Sequence, residues 1–162
     1  MNRLVGWGAA SLTLLTFSGC GNSGDATATS QVEVNDPTST DGRQIYQLQC
    51  AACHGAEGQG TPNLHPPLTA QEWVNAPSKR LIALLLDGMQ GDVEVNGAVY
   101  RGIMPAWRSV LTDGQIASVL TYIRQSWGNH SPPVISTDVG VLRANYLDRN
   151  AFWTPKEIEA VK

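Results

Sequence analysis

The chain has 162 residues, 42% apolar and 15% charged, with a formal net charge of -3. Charge is scarce beside the roughly 25% of an ordinary soluble domain, and no basic cluster suits nucleic acid as a partner. Sixteen Gly and nine Pro make turns plentiful, and part of the apolar content sits in the first 20 residues, which leaves a thin core for one domain, of the kind that a metal, a disulfide or a cofactor completes.

Arg3 gives a positive start, and Leu4 to Phe17 carries no charge. These 14 residues are too few to span a bilayer, which takes about 20. They read as the apolar part of an export signal. The run ends in Phe17-Ser18-Gly19-Cys20, which resembles the lipobox of bacterial lipoproteins. The resemblance implies a signal peptide over residues 1–19 and a lipid on Cys20. More than one acyl chain there suffices for stable anchoring. A secreted protein with Cys20 as an idle thiol is the other reading. Gly21 lacks the Asp that retains enteric lipoproteins in the inner membrane, so the choice of membrane stays open. Residues 20–40, rich in Gly, Asn, Ser, Thr and Asp, read as a flexible linker. About 20 such residues reach roughly 25 Å.

The segment from Asp41 opens with a helix-capping pattern, Asp41 with Gln44 three residues on. It leads into Cys50-Ala51-Ala52-Cys53-His54. Cys-x-x-Cys suits a redox pair, half a zinc site or a haem anchor, and the following His points to c-type haem attachment. On a helix, Cys50 and Cys53 stand at i and i+3 and His54 at i+4, so thiols and imidazole share one face. The thiols can then meet two vinyl groups on one haem edge, with His54 over the iron. Zinc needs about four N or S ligands, whereas His65 and His130 are isolated. A thioredoxin-like pair belongs in an alternation of strands and helices, and none is visible.

Around this motif the chain resembles class I cytochrome c. Gly42 and Tyr46, eight and four residues before Cys50, match the family's contact with its C-terminal helix. Gly102-Ile103-Met104-Pro105-Ala106-Trp107 resembles its axial ligand loop, with Met104 50 residues after His54. The resemblance covers residues 41–128. It implies an all-α fold with crossed N- and C-terminal helices around one covalent haem c. Cys50 and Cys53 would bind the haem, and His54 and Met104 would ligate the iron. Thr61 to Leu68 resembles the loop whose Pro carbonyl accepts the axial His N–H; Pro62 and Pro66 are both candidates. His65, only 11 residues from His54 in a loop, is a weak rival to Met104.

Pro77-Ser78-Lys79-Arg80 opens a helix through Leu86, with Gly88 as its left-handed stop. Leu81, Leu84 and Leu85 share a stripe that reads as cavity wall. Met89 follows, read as packing against the body or the haem edge. Val93 to Tyr100 alternates about Asn96-Gly97, which predicts a small hairpin with a type I′ turn. Gly88 to Trp107 resembles cytochromes of periplasmic quinoprotein dehydrogenases and nitrite reductases. Thr112 and Gln115 form a capping box, and Ile116, Val119, Leu120, Ile123 and Trp127 follow on one helical face. Residues 129–162 form a C-terminal extension. Asp138 to Tyr146 reads as a short helix, and Thr154-Pro155-Lys156-Glu157 starts another. This tail either packs back on the cytochrome or docks a partner; the former is the plainer reading.

A thioether opposite a neutral imidazole closes the iron to outside ligands and favours its reduced form. The expectation is therefore an electron carrier of the bacterial periplasm, tethered by lipid and without catalytic residues. Its redox partner would be a dehydrogenase, a reductase or a terminal oxidase. A gas sensor or haem enzyme with a labile sixth ligand is the alternative.

Overall fold

The structure is a computed structural model that describes residues 41–69 and 72–162. Cys20, the expected signal peptide and the expected linker lie outside the described residues. No helix among the described residues is long and apolar enough to cross a membrane.

Helix α1 (Gly42–Gln49) starts at Asp41, whose carboxylate accepts from the Arg43 and Gln44 amides at 2.8 and 3.3 Å. It buries Ile45 and Tyr46 and passes through Cys50 into the single turn of α2 (Ala51–His54). Helix α5 (Asp113–Gln125) carries a reciprocal capping box. The Gln115 amide donates to Thr112 Oγ1 at 3.3 Å, and the Thr112 amide donates to Gln115 Oε1 at 3.0 Å. Its inner face buries Ile116, Val119, Leu120 and Ile123, the period expected of a half-buried helix.

Helix α1 packs against α5 through Gly42. A Cβ at Gly42 would fall on the Ser118 carbonyl, so only glycine lets the two backbones approach this closely. Trp127 corrects one sequence expectation. The helix ends at Ser126 in extended conformation, and Trp127 lies beyond it with φ 52°. That reversal turns its indole back onto Tyr46 and Tyr122, with ring centroids 4.9 and 5.4 Å apart.

Helix α3 is one turn (Glu72–Asn75), followed by α4 (Ser78–Asp87), which is buried from Leu81 to its end. Gly88 stops α4 with positive φ, as expected, but with ψ -179° instead of the left-handed helical value. That region is open essentially only to glycine. Strands β1 (Val93–Val95) and β2 (Ala98–Tyr100) pair antiparallel, with Val93 opposite Tyr100. Asn96 and Gly97 turn between them at φ 53° and 75°, as a type I′ turn requires.

Helix α6 spans Ser136–Asn145, starting two residues before the sequence expectation. Helix α7 (Pro155–Glu159) begins with the Thr154–Glu157 capping box. The tail packs back on the body. Trp153 is buried and its indole N–H donates to the Ala83 carbonyl at 2.9 Å, while Ile158 is wholly enclosed. Arg108 fastens α6: it grips buried Asp87 with two bonds, at 2.8 and 3.0 Å, and donates to the Arg143 and Tyr146 carbonyls. The described residues are thus largely helical, with one small hairpin.

Candidate haem site

Cys50, Cys53, His54 and Met104 line one cavity. The continuous run from α1 into α2 brings the first three to its edge. Helix α4 supplies Leu81, Leu84 and Leu85 as wall, and α5 supplies Leu120 and Ile123. Met89 lines it as well, and Trp107, Trp73, Val93 and Val95 complete the apolar shell. Counted together with its mouth open to solvent, the space is about 1140 Å³.

His54 Nδ1 lies 2.9 Å from the Pro66 carbonyl oxygen, and of the two candidate prolines it is Pro66 that makes this bond. A carbonyl only accepts, so Nδ1 carries the proton and Nε2 keeps its lone pair for a metal. Burial lowers the His54 pKa, the Pro66 bond partly opposes that, and His65 adds to it. The imidazole is therefore held neutral, as a metal ligand must be. Burial, then the neighbouring Cys53, push the Cys50 thiol up to about 12. Among the described residues no group of three or more His, Cys, Asp or Glu could hold a metal ion by itself.

The Met104 loop is held on two sides. Met89 and Met104 exchange backbone hydrogen bonds at 3.0 and 2.9 Å, and the Trp107 amide donates to the Leu85 carbonyl at 2.9 Å. The Gly102 amide donates to the Leu64 carbonyl at 2.8 Å, which ties this loop to the one that supports His54.

His65, the weak rival to Met104, lines the cavity with its ring centroid 6.3 Å from that of His54, and its buried Nδ1 has no hydrogen-bond partner. Two further contributors have no sequence signal. Arg124 ties down the α3 region by donating to the Val74 and Ala76 carbonyls at 2.8 Å. Asn129, fully buried, donates to the Leu68 and Ile123 carbonyls at 2.7 and 2.9 Å.

The donor set fits a haem c. Two thiols at helical spacing, an imidazole with a free Nε2 and a thioether surround a large apolar space, and His65 offers one unmet polar contact. Fold and site together define a c-type cytochrome domain.

Comparison with known proteins agrees. Residues 37–123, more than half the chain, match the family model described as cytochrome C oxidase, cbb3-type, subunit III. The chain is 38% identical over 129 residues to cytochrome c-552 of Thermus thermophilus, covering 74% of this chain and 92% of that protein. It is 30% identical over 105 residues to the cytochrome c subunit of the quinone alcohol dehydrogenase of Gluconobacter oxydans, covering 63% of this chain and 22% of the subunit. It is 36% identical over 107 residues to the cytochrome c subunit of gluconate 2-dehydrogenase of Pantoea cypripedii, covering 63% of this chain and 24% of the subunit. The chain belongs to the cytochrome c family. Its cofactor is covalently bound haem c, Cys50 and Cys53 fit the attachment positions, and its work is electron transfer and not catalysis.

Proposed function

We propose that this chain is a monohaem class I cytochrome c with crossed α1 and α5 helices and His54/Met104 ligation. It carries electrons in the bacterial periplasm and is tethered to a membrane by a lipid on Cys20. Its partner is a membrane or periplasmic oxidoreductase: a dehydrogenase, a reductase or a terminal oxidase. The observation that carries the reading is the convergence of Cys50, Cys53, His54 and Met104 on one apolar cavity, with His54 Nδ1 bonded to Pro66.

When bound, the haem supplies one reversible electron at its iron. The protein's residues do the rest. Cys50 and Cys53 fix the group at one edge. Pro66 holds the His54 ring in one tautomer and raises its basicity as a ligand. Met104 would hold the group through its thioether and keep water and outside ligands away, and a Met/His pair favours the reduced iron. Leu81, Leu84 and Leu85 keep water from the wall. The lipid tether is supported by Phe17-Ser18-Gly19-Cys20 and the polar residues after it.

The test is the protein matured in an export-competent host that attaches haem c. Mass spectrometry should show one haem and, on the membrane fraction, a lipid on Cys20. The ferric protein should show a thioether-to-iron charge-transfer absorption, and the native ferrous protein should not bind carbon monoxide. Ready carbon monoxide binding would replace the carrier role with that of a sensor or haem enzyme.

A further inference from the structure

Met89 links the tail to the Met104 loop. Met89 pairs with Met104 on one side and with Trp153 on the other. The Gln90 amide donates to the Trp153 carbonyl at 2.9 Å, and the Trp153 amide donates to the Gly88 carbonyl at 3.0 Å. Met89 is thus the middle rung of a three-segment ladder that runs from the tail to Met104.

Trp153 is itself fixed from several directions. Its indole N–H bonds the Ala83 carbonyl at 2.9 Å, the Arg149 guanidinium lies 3.5 Å over its ring, and Tyr146 meets it edge-on at 5.1 Å. Gly88 sits where tail and loop come closest. A Cβ there would meet the Met104 carbonyl oxygen at 2.5 Å and the Phe152 ring at 2.8 Å. The Met104 side chain packs against the cluster that contains Met89, Trp153 and Ile158.

A thioether is a weak, neutral ligand, so its hold depends on the backbone that presents it. A loop free to swing out would let water or small anions reach the iron. We propose that Trp153 acts through Met89 as a positioning brace for the Met104 sulfur, slowing its exchange with outside ligands. The proposal rests on Met104 being the axial ligand. It assigns the C-terminal extension a part in keeping the site closed, beyond packing onto the body.

The experiment measures cyanide uptake by the ferric holoprotein, with the charge-transfer absorption as the signal that sulfur is bound. Three variants are compared with the parent: Trp153→Ala, Trp153→Phe and Val139→Ala. Val139 is wholly buried on α6, in the core cluster that contains neither Met89 nor Trp153, and serves as the control for stability loss. The brace predicts uptake at least tenfold faster in Trp153→Ala and at least threefold faster in Trp153→Phe, with Val139→Ala within twofold of the parent. Should Trp153→Ala fail to mature, Trp153→Phe carries the test. Unchanged uptake in the Trp153 variants overturns the brace, as do rates that merely follow melting temperature across all three. A parent protein without the absorption shows instead that the Met104 assignment has failed, and the brace falls with it.

Discussion

The carbonyl of Pro66 holds the imidazole of His54, with 2.9 Å between oxygen and Nδ1 across twelve residues of chain. The bond is made by backbone, so no side-chain deletion removes it, but the pyrrolidine ring fixes the angle at which the carbonyl is offered. Pro66→Gly frees that angle. It should lower stability by about 0.4–1 kcal/mol through the gain in unfolded-chain freedom. A weaker bond also leaves His54 a less basic ligand, which disfavours ferric iron, so the midpoint potential should rise. Thermal melts and a redox titration check both signs, and a potential that falls contradicts the role given to Pro66.

Two methionines line the cavity, and they make opposite predictions. Met104→Ala should abolish the ferric thioether absorption and open the ferrous protein to carbon monoxide. Met89→Ala should keep the absorption while losing about 2–5 kcal/mol of stability, the usual range for emptying a buried Met site. Optical spectra and denaturant unfolding of the two variants separate the roles. If the absorption disappears in Met89→Ala and survives in Met104→Ala, the ligand has been assigned to the wrong sulfur.

Gly42 tests the packing of α1 on α5. Any Cβ there meets the Ser118 carbonyl and crowds the Tyr122 Cβ at 3.0 Å. Gly42→Leu should therefore push the two helices apart, with a loss of about 1–3 kcal/mol or more from overpacking and a lower holoprotein yield. Unchanged melting and yield would count against close contact at this position.

What could be read in the chain beforehand was local. The Cys50–His54 spacing, the Asn96-Gly97 turn and the Thr112 and Thr154 capping boxes each act within a few residues, so short stretches of sequence announce them. Trp127 shows the limit of periodicity: it keeps the helical spacing, yet Ser126 has already turned the chain, and a positive φ is what delivers the indole to Tyr46. The choice of Pro66 over Pro62 was equally hidden, because both residues satisfy the local pattern. Arg124 on the Val74 carbonyl, Asn129 on Leu68 and Trp153 on Ala83 join residues 50, 61 and 70 positions apart. Such bonds satisfy buried backbone groups chosen by the tertiary fold, and nothing near either partner marks them.

Asp87 and Arg108 are one such hidden pair. The Asp87 side chain is 5% exposed and that of Arg108 is 21% exposed. Arg108 also holds the Arg143 and Tyr146 carbonyls, so it joins the end of α4 to α6. Asp87→Ala leaves that guanidinium half-buried without its counter-charge, a change that typically costs about 3–5 kcal/mol. Denaturant unfolding should show the loss. A loss under about 1 kcal/mol would mean that the pair behaves like a surface salt bridge.

The start of α7 should respond to acid. Hydrogen bonds from the Thr154 amide and hydroxyl, with Arg149 nearby, hold the Glu157 carboxyl below the usual carboxylate value. A carboxylate with a depressed folded pKa adds stability that is fully present above its unfolded value, about 4.3, and is lost as pH falls through the folded one. The capping box should thus survive mild acidification and open below the ordinary glutamate range. In NMR titrations, the Thr154 and Glu157 amide shifts should move together with a midpoint below about 4.3, and Glu157→Gln should abolish the transition. A midpoint at or above the ordinary value would mean that Thr154 does not favour the ionised form, and that the cap is held by the bond from the Glu157 amide to the Thr154 hydroxyl alone.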